Sequence, residues 1–110
     1  MTIEQAQRKM CEKHGSAFTP SPSGLKVGIA LSTLKLNPIY GVREPIRGDT
    51  SGWYIWGGPH SEAPDFFQPV HVDHLPDLLP IVLPFLGLEP GFKFITDTTG
   101  YEDVWFENRE

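Results

Sequence analysis

The sequence predicts an α+β fold: a mostly antiparallel sheet of about five strands, with an N-terminal helix and one Pro-rich helix on one side. Three observations predict it. Thr2-Ile-Glu-Gln5 has capping-box spacing ahead of apolar residues at helical intervals. Short segments rich in β-branched and aromatic residues recur between Gly- and Pro-containing turns. One apolar run, 77–86, carries two prolines and reads as a buried helix.

The elements follow in order. Thr2 caps a helix whose apolar side is Ile3, Ala6 and Met10. Lys13 and His14 suit its C-terminus, and Gly15 stops it. This helix, placed within residues 1–17, runs about three turns. Its thin apolar stripe docks at the domain edge. Residues 18–24 form a turn-rich connector. Strands are expected at 25–31, 39–43 and 53–56, with a turn at Asn37-Pro38 and a loop at 47–52. Asp65 to Gln68 reads as one helical turn, and 70–74 as extended. Pro80 is tolerable only in the first turn of the 77–86 helix, and Pro84 must kink or shorten it. Strands 92–96 and 101–107 close the chain as a hairpin around Asp97-Thr-Thr-Gly100.

The chain has 110 residues, which is one domain, 1–110, by length. It can bury roughly two-thirds of its unfolded surface. Thirteen aromatics are too many for a disordered chain. Cys11 is alone, so no internal disulfide forms. The start lacks a signal-peptide run, and no apolar stretch spans a bilayer. The expected location is cytoplasmic. Residues 1–47 hold seven Lys and Arg against three acids, a net of +4, and residues 48–110 hold two against eleven, a net of −9. A surface made from the second half repels nucleic acid and attracts a basic partner.

Alternation in Trp53-Tyr-Ile-Trp56 sets Trp53 and Ile55 on one face, and Tyr54 and Trp56 on the other. Ile55 marks its own face as buried, so Tyr54 and Trp56 are the expected exposed pair. Aromatics of this kind anchor protein interfaces. Asp49, Glu62, Asp65 and Asp73 cluster around them in sequence. The expected contact patch is 47–56 with the loop 59–67 and the final hairpin as a further part, and its candidate residues are Arg47, Asp49, Trp53, Tyr54, Trp56, Glu62, Asp65 and Phe66.

Enzyme chemistry is poorly supplied. Ser51 lies outside a nucleophile elbow. Gly57-Gly58 lacks the lysine and helix of a phosphate loop. The enzymatic alternative is a metal-dependent or carbohydrate-processing site built from His71, Asp73 and His74, with His60 as a further ligand. No cofactor motif is present. A third reading is a small regulatory or scaffold domain that forms a homodimer through its exposed aromatics.

The run Val42-Arg-Glu-Pro45, then Asp49-Thr-Ser-Gly-Trp53, then Gly57-Gly58, resembles the signature of the Imm33-like immunity proteins of bacterial polymorphic toxin systems. Their pattern places Arg-Glu-Pro on a strand and follows it with Asp-Ser-Gly-Trp, an aromatic strand and a Gly-acid pair. A Leu/Ile-Pro-rich helix and a closing hairpin come next, and residues 78–86 stand in the helix position. The resemblance covers roughly residues 25–107. Thr50 is an insertion between Asp49 and Ser51, and Gly58-Pro59 replaces the Gly-acid pair. The resemblance implies a non-enzymatic protein, without a cofactor, that binds and blocks a cognate toxin protein.

Overall fold

The structure, a computed structural model, describes residues 1–107. The last three residues of the expected 1–110 domain lie outside the described residues. The architecture is α+β. Helix α1 spans Ile3–His14. The strands are β1 Lys26–Ile29, β2 Ile39–Arg43, β3 Thr50–Gly57, β4 Gln68–His71, β5 Phe92–Thr96 and β6 Glu102–Phe106. They form one sheet in the order β4-β1-β3-β2-β5-β6. Among the described residues only the β1–β3 pairing is parallel; the other four are antiparallel. Among the described residues, no helix is long and apolar enough to cross a membrane.

Helix α1 begins as its sequence requires. The Thr2 hydroxyl accepts from the Gln5 amide, and the Gln5 side chain accepts from the Thr2 amide. Gly15 closes the helix in the left-handed region. At that end Lys13 Nζ and His14 Nε2 lie 2.9 and 2.8 Å from the Glu102 carboxylate, which ties α1 to β6.

Some details differ from expectation. The sheet has six strands, the stretch expected as extended from residue 70 supplying β4 from Gln68. Residues 65–68 form no helix, and the turn there closes earlier, with the Phe66 amide donating to the Ala63 carbonyl. Gln68 instead starts a strand at the sheet edge, where Pro69 needs no partner for its missing N–H. The expected extended stretch 70–74 ends at His71 and turns into a 3-10 segment, Val72–His74. The Pro-rich helix is two short pieces, α2 at Leu75–Leu78 and a 3-10 segment at Pro80–Phe85. Pro80 and Pro84 each remove an amide donor and crowd the preceding turn, so a continuous α-helix does not form.

The core lies between one sheet face and these helical pieces. Val27, Ile29, Ile39, Trp53, Ile55, Phe92 and Phe94 pack against Leu75, Val82, Phe85, Leu86 and Leu88. Phe85 stacks on Phe94 with ring centroids 4.3 Å apart. Cys11 is buried there from α1, its thiol donating to the Gly87 carbonyl. Burial raises its pKa.

Arg43 and the Ser-Gly-Trp run meet inside this core. Arg43 is 1% exposed. Its guanidinium donates to the carbonyls of Ser51 (2.9 Å), Thr19 (2.6 Å) and Leu88 (2.7 Å), with longer bonds to Leu86 and Pro20. These bonds offset the cost of burying the charge. Burial pulls its pKa down to about 10, so it stays cationic at neutral pH. β3 is longer than expected because it opens with a bulge. Lys26 of β1 faces Thr50, but Gly28 already faces Tyr54. Ser51 Oγ donates to the Lys26 carbonyl and accepts from the Trp53 amide. Gly52 sits at φ 90° with the Glu44 carbonyl so close that a Cβ would lie 2.0 Å from it. The bulge turns Trp53 inward, where its indole N–H donates to the Leu86 carbonyl.

Candidate functional site

Alternation along the strands sends the remaining side chains to the opposite face. Paired residues share a face in an antiparallel ladder, so Tyr40 stands beside Trp56, Val42 beside Tyr54, and Lys93 beside Trp105. The helical pieces lie on the other side. Residues 58–67 fold back across part of this face instead. The Gln68 side chain helps to hold them by donating to the Asp65 carbonyl.

Six rings meet here. Tyr40 stacks on Trp56 with centroids 5.4 Å apart. His60 meets Trp56 at 5.0 Å and Phe66 at 5.4 Å. Phe66 contacts Phe67 at 4.9 Å, and Phe67 contacts Tyr54 at 5.3 Å. Near-perpendicular contacts of this kind suit the ring quadrupoles. Gly28 leaves space for the Tyr54 ring, since a Cβ there would come within 2.7 Å of it. Tyr54 is 37% exposed, and Trp56 is half-buried.

Two hollows flank this cluster. The larger, about 430 Å³, is lined by Val42, Glu44, Pro45, Arg47, Thr50, Gly52, Tyr54, Trp56, His60 and Phe67. The smaller, about 330 Å³, is lined by Lys26, Val27, Gly28, Asp49, Thr50, Tyr54, Phe67, Gln68 and Pro69. Thr50, Tyr54 and Phe67 border both. Glu62 and Asp65 are exposed on the folded-back loop. The lining of the larger hollow mixes the rings with Glu44, Arg47 and Thr50. Such a surface presents contact area and charge, the elements of recognition.

The structure brings Arg47, Tyr54, Trp56, Phe66, Glu62 and Asp65 to this side of the molecule. Trp53 must be corrected. It is 0% exposed, so it belongs to the core and not to a contact surface. Asp49 is exposed, but its carboxylate lies 2.8 Å from Lys26 Nζ. That bond to Lys26 lowers its pKa. It is therefore no unengaged rim acid. The metal alternative does not assemble. His71 and His74 approach to 6.0 Å between ring centroids, and Asp73 lies 3.8 Å from His74. His60 packs in the aromatic cluster. Among the described residues no group of three or more His, Cys, Asp or Glu side chains could hold a metal ion.

Sequence reasoning missed Tyr40 and Glu44, and placed Phe67 only within the expected loop 59–67. Tyr40 was findable from the β2–β3 register, which sets it opposite Trp56. Phe67 had no signal that separated it from Phe66, because the loop's path is set by contacts remote in sequence.

The family model of the Imm33-like domain matches residues 6–107 of the chain. No curated protein and no solved structure matches it.

Proposed function

Because the chain belongs to the Imm33-like domain family, we propose that it is an immunity protein that neutralises a cognate bacterial toxin by occluding it, without catalysis of its own. It does so in the cytoplasm of the cell that makes the toxin. The supporting observation is the sheet face bearing Tyr40, Tyr54 and Trp56, which no helical piece of the core covers. Trp and Tyr give large contact area at low entropic cost and dominate binding energy in protein interfaces. The acids Glu62 and Asp65 speed encounter with a basic partner more than they tighten the complex.

The test uses the toxin domain encoded beside this gene. Calorimetry with the purified pair should give sub-micromolar affinity, and the toxin's activity should fall in step with complex formation. Tyr54→Ala and Trp56→Ala should each weaken the complex by at least about tenfold, the scale of an anchor residue. Absence of binding by any neighbouring toxin removes this reading. Tight binding untouched by both substitutions moves the contact surface elsewhere.

A further inference from the structure

Resting on that reading, we propose that the toxin adds a strand to the free edge of β6, through an extended segment that sets a lysine or arginine beside Asp103. β6 ends the sheet order, and among the described residues no strand pairs with it beyond β5. The phase of its ladder fixes which backbone groups are left over. The Glu107 amide donates to the Gly91 carbonyl. In an antiparallel pair, bonded and non-bonded positions alternate. Asp103 and Trp105 therefore bond to Ile95 and Lys93, and the amides and carbonyls of Glu102, Val104 and Phe106 point away from the sheet. Each offers one donor and one acceptor, the template on which strand addition works.

The two edges of the sheet differ. At β4 the Val72 amide donates to the Leu25 carbonyl, so the same alternation turns Pro69 and His71 outward. Pro69 has no N–H to offer, and that edge is closed to a partner. β6 holds no proline, and its register with β5 runs from Glu102 to Phe106 without a bulge. It carries Phe106 and follows Tyr101, both exposed, apolar area that a bound strand would cover.

Charge chooses the occupant. Lys13 and His14 hold Glu102, and Lys93 holds Glu107. Asp103 is exposed and makes no ion pair among the described residues. It stands on the open face beside Ile95. A strand bonded to Glu102 and Val104 sets a residue opposite Asp103 in a non-bonded pair, where side chains come closest. A cation there gains a cross-strand ion pair. A second copy of this chain would instead bring together two molecules of net charge −5.

The probe is a synthetic peptide, acetyl-Thr-Lys-Val-Lys-Val-Lys-Thr-amide, with two relatives. One carries glutamate in place of each lysine. The other keeps the lysines and bears N-methyl groups on both valines. With the lysines on the open face, the valine amides are the ones that face β6, so N-methylation removes the bonds and keeps the charge. Amide hydrogen exchange, resolved by ¹⁵N, reads the result. The lysine peptide should slow exchange at Glu102, Val104 and Phe106 and leave Asp103 and Trp105, already bonded to β5, unchanged. It should bind at least about fivefold tighter than the glutamate peptide. Equal binding of the N-methylated peptide, or protection that maps elsewhere, overturns the proposal.

In the chain itself, Val104→Pro removes one outward amide, and Val104→Ala matches its lost packing. The proline variant should bind the toxin about tenfold more weakly than the alanine variant. Asp103→Asn should weaken binding about threefold, and it keeps the test decisive should Val104→Pro fail to fold. If the toxin binds, leaves the edge amides unprotected and treats these variants alike, the immunity reading stands and strand addition falls. If the lysine peptide adds as expected and no neighbouring toxin binds, the edge chemistry stands and the immunity reading falls. A dimer in sedimentation that Val104→Pro dissolves gives the edge to a second copy and overturns the proposal.

Discussion

Trp53 and Tyr54 are adjacent in sequence and meet opposite fates. Trp53 is 0% exposed and bonds its indole to a core carbonyl; Tyr54 is 37% exposed between two hollows. The same division holds for the whole sheet. One face carries the core, with Arg43, Ser51 and Gly52 fixing its backbone. The other carries rings and charges that the fold leaves partly open. Arg43, Ser51, Gly52 and Trp53 of the family-like runs therefore build the scaffold, while Val42, Glu44 and Pro45 of the same runs line the larger hollow.

The sharpest way to break this comparison is to attack the covered side. Arg43→Ala leaves carbonyls of Ser51, Thr19 and Leu88 without their donor. At roughly 1–3 kcal/mol for each buried group stranded, the loss should be about 5 kcal/mol. That approaches the whole stability of a small domain. Urea denaturation should find Arg43→Ala largely unfolded, and near-wild-type stability would refute the hub. The adjacent pair gives the next effect. Trp53→Ala should lose about 3–5 kcal/mol, as large aromatic truncations in cores do. Tyr54→Ala should lose under about 1 kcal/mol, since its ring is already partly solvated. Equal losses in the two urea midpoints would erase the distinction between the faces.

The smallest effect concerns the seam between α1 and β6. Hydrogen bonds from Lys13 and His14 lower the Glu102 pKa below its ordinary 4.5. A carboxyl depressed in the folded state contributes stability above its unfolded pKa and loses it as pH falls through the folded one. Wild type should therefore lose more stability than Glu102→Gln between neutral pH and about pH 3. The difference should stay under about 1 kcal/mol, because the pair is partly solvated. Parallel pH profiles of the two proteins would show that the seam contributes nothing.

Local chemistry was legible in the sequence. The capping box at Thr2 and Gln5, the stop at Gly15, the 92–106 hairpin and the alternation of Trp53 against Tyr54 each depend on residues a few positions apart, and all are present. Arrangements that join distant residues were not. The parallel β1–β3 pair forms around a bulge that no pattern in either strand announces. Arg43 reads as an ordinary strand cation until Thr19 and Leu88 come together around it. Asp49 reads as a loop acid until Lys26 arrives beside it. The candidate site was half legible for the same reason: its aromatic strand is local, and the packing of Phe67 from the returning loop onto Tyr54 and Trp56 is not.

The bulge at Ser51 to Trp53 has one more consequence. It sits at the head of the strand that bears Tyr54 and Trp56, and it anchors that strand from behind. Side chains in front can then drift by mutation without disturbing how the chain finds its shape. On the proposed immunity reading, the open face is the part that surface substitutions would re-aim, while its foundation stays put.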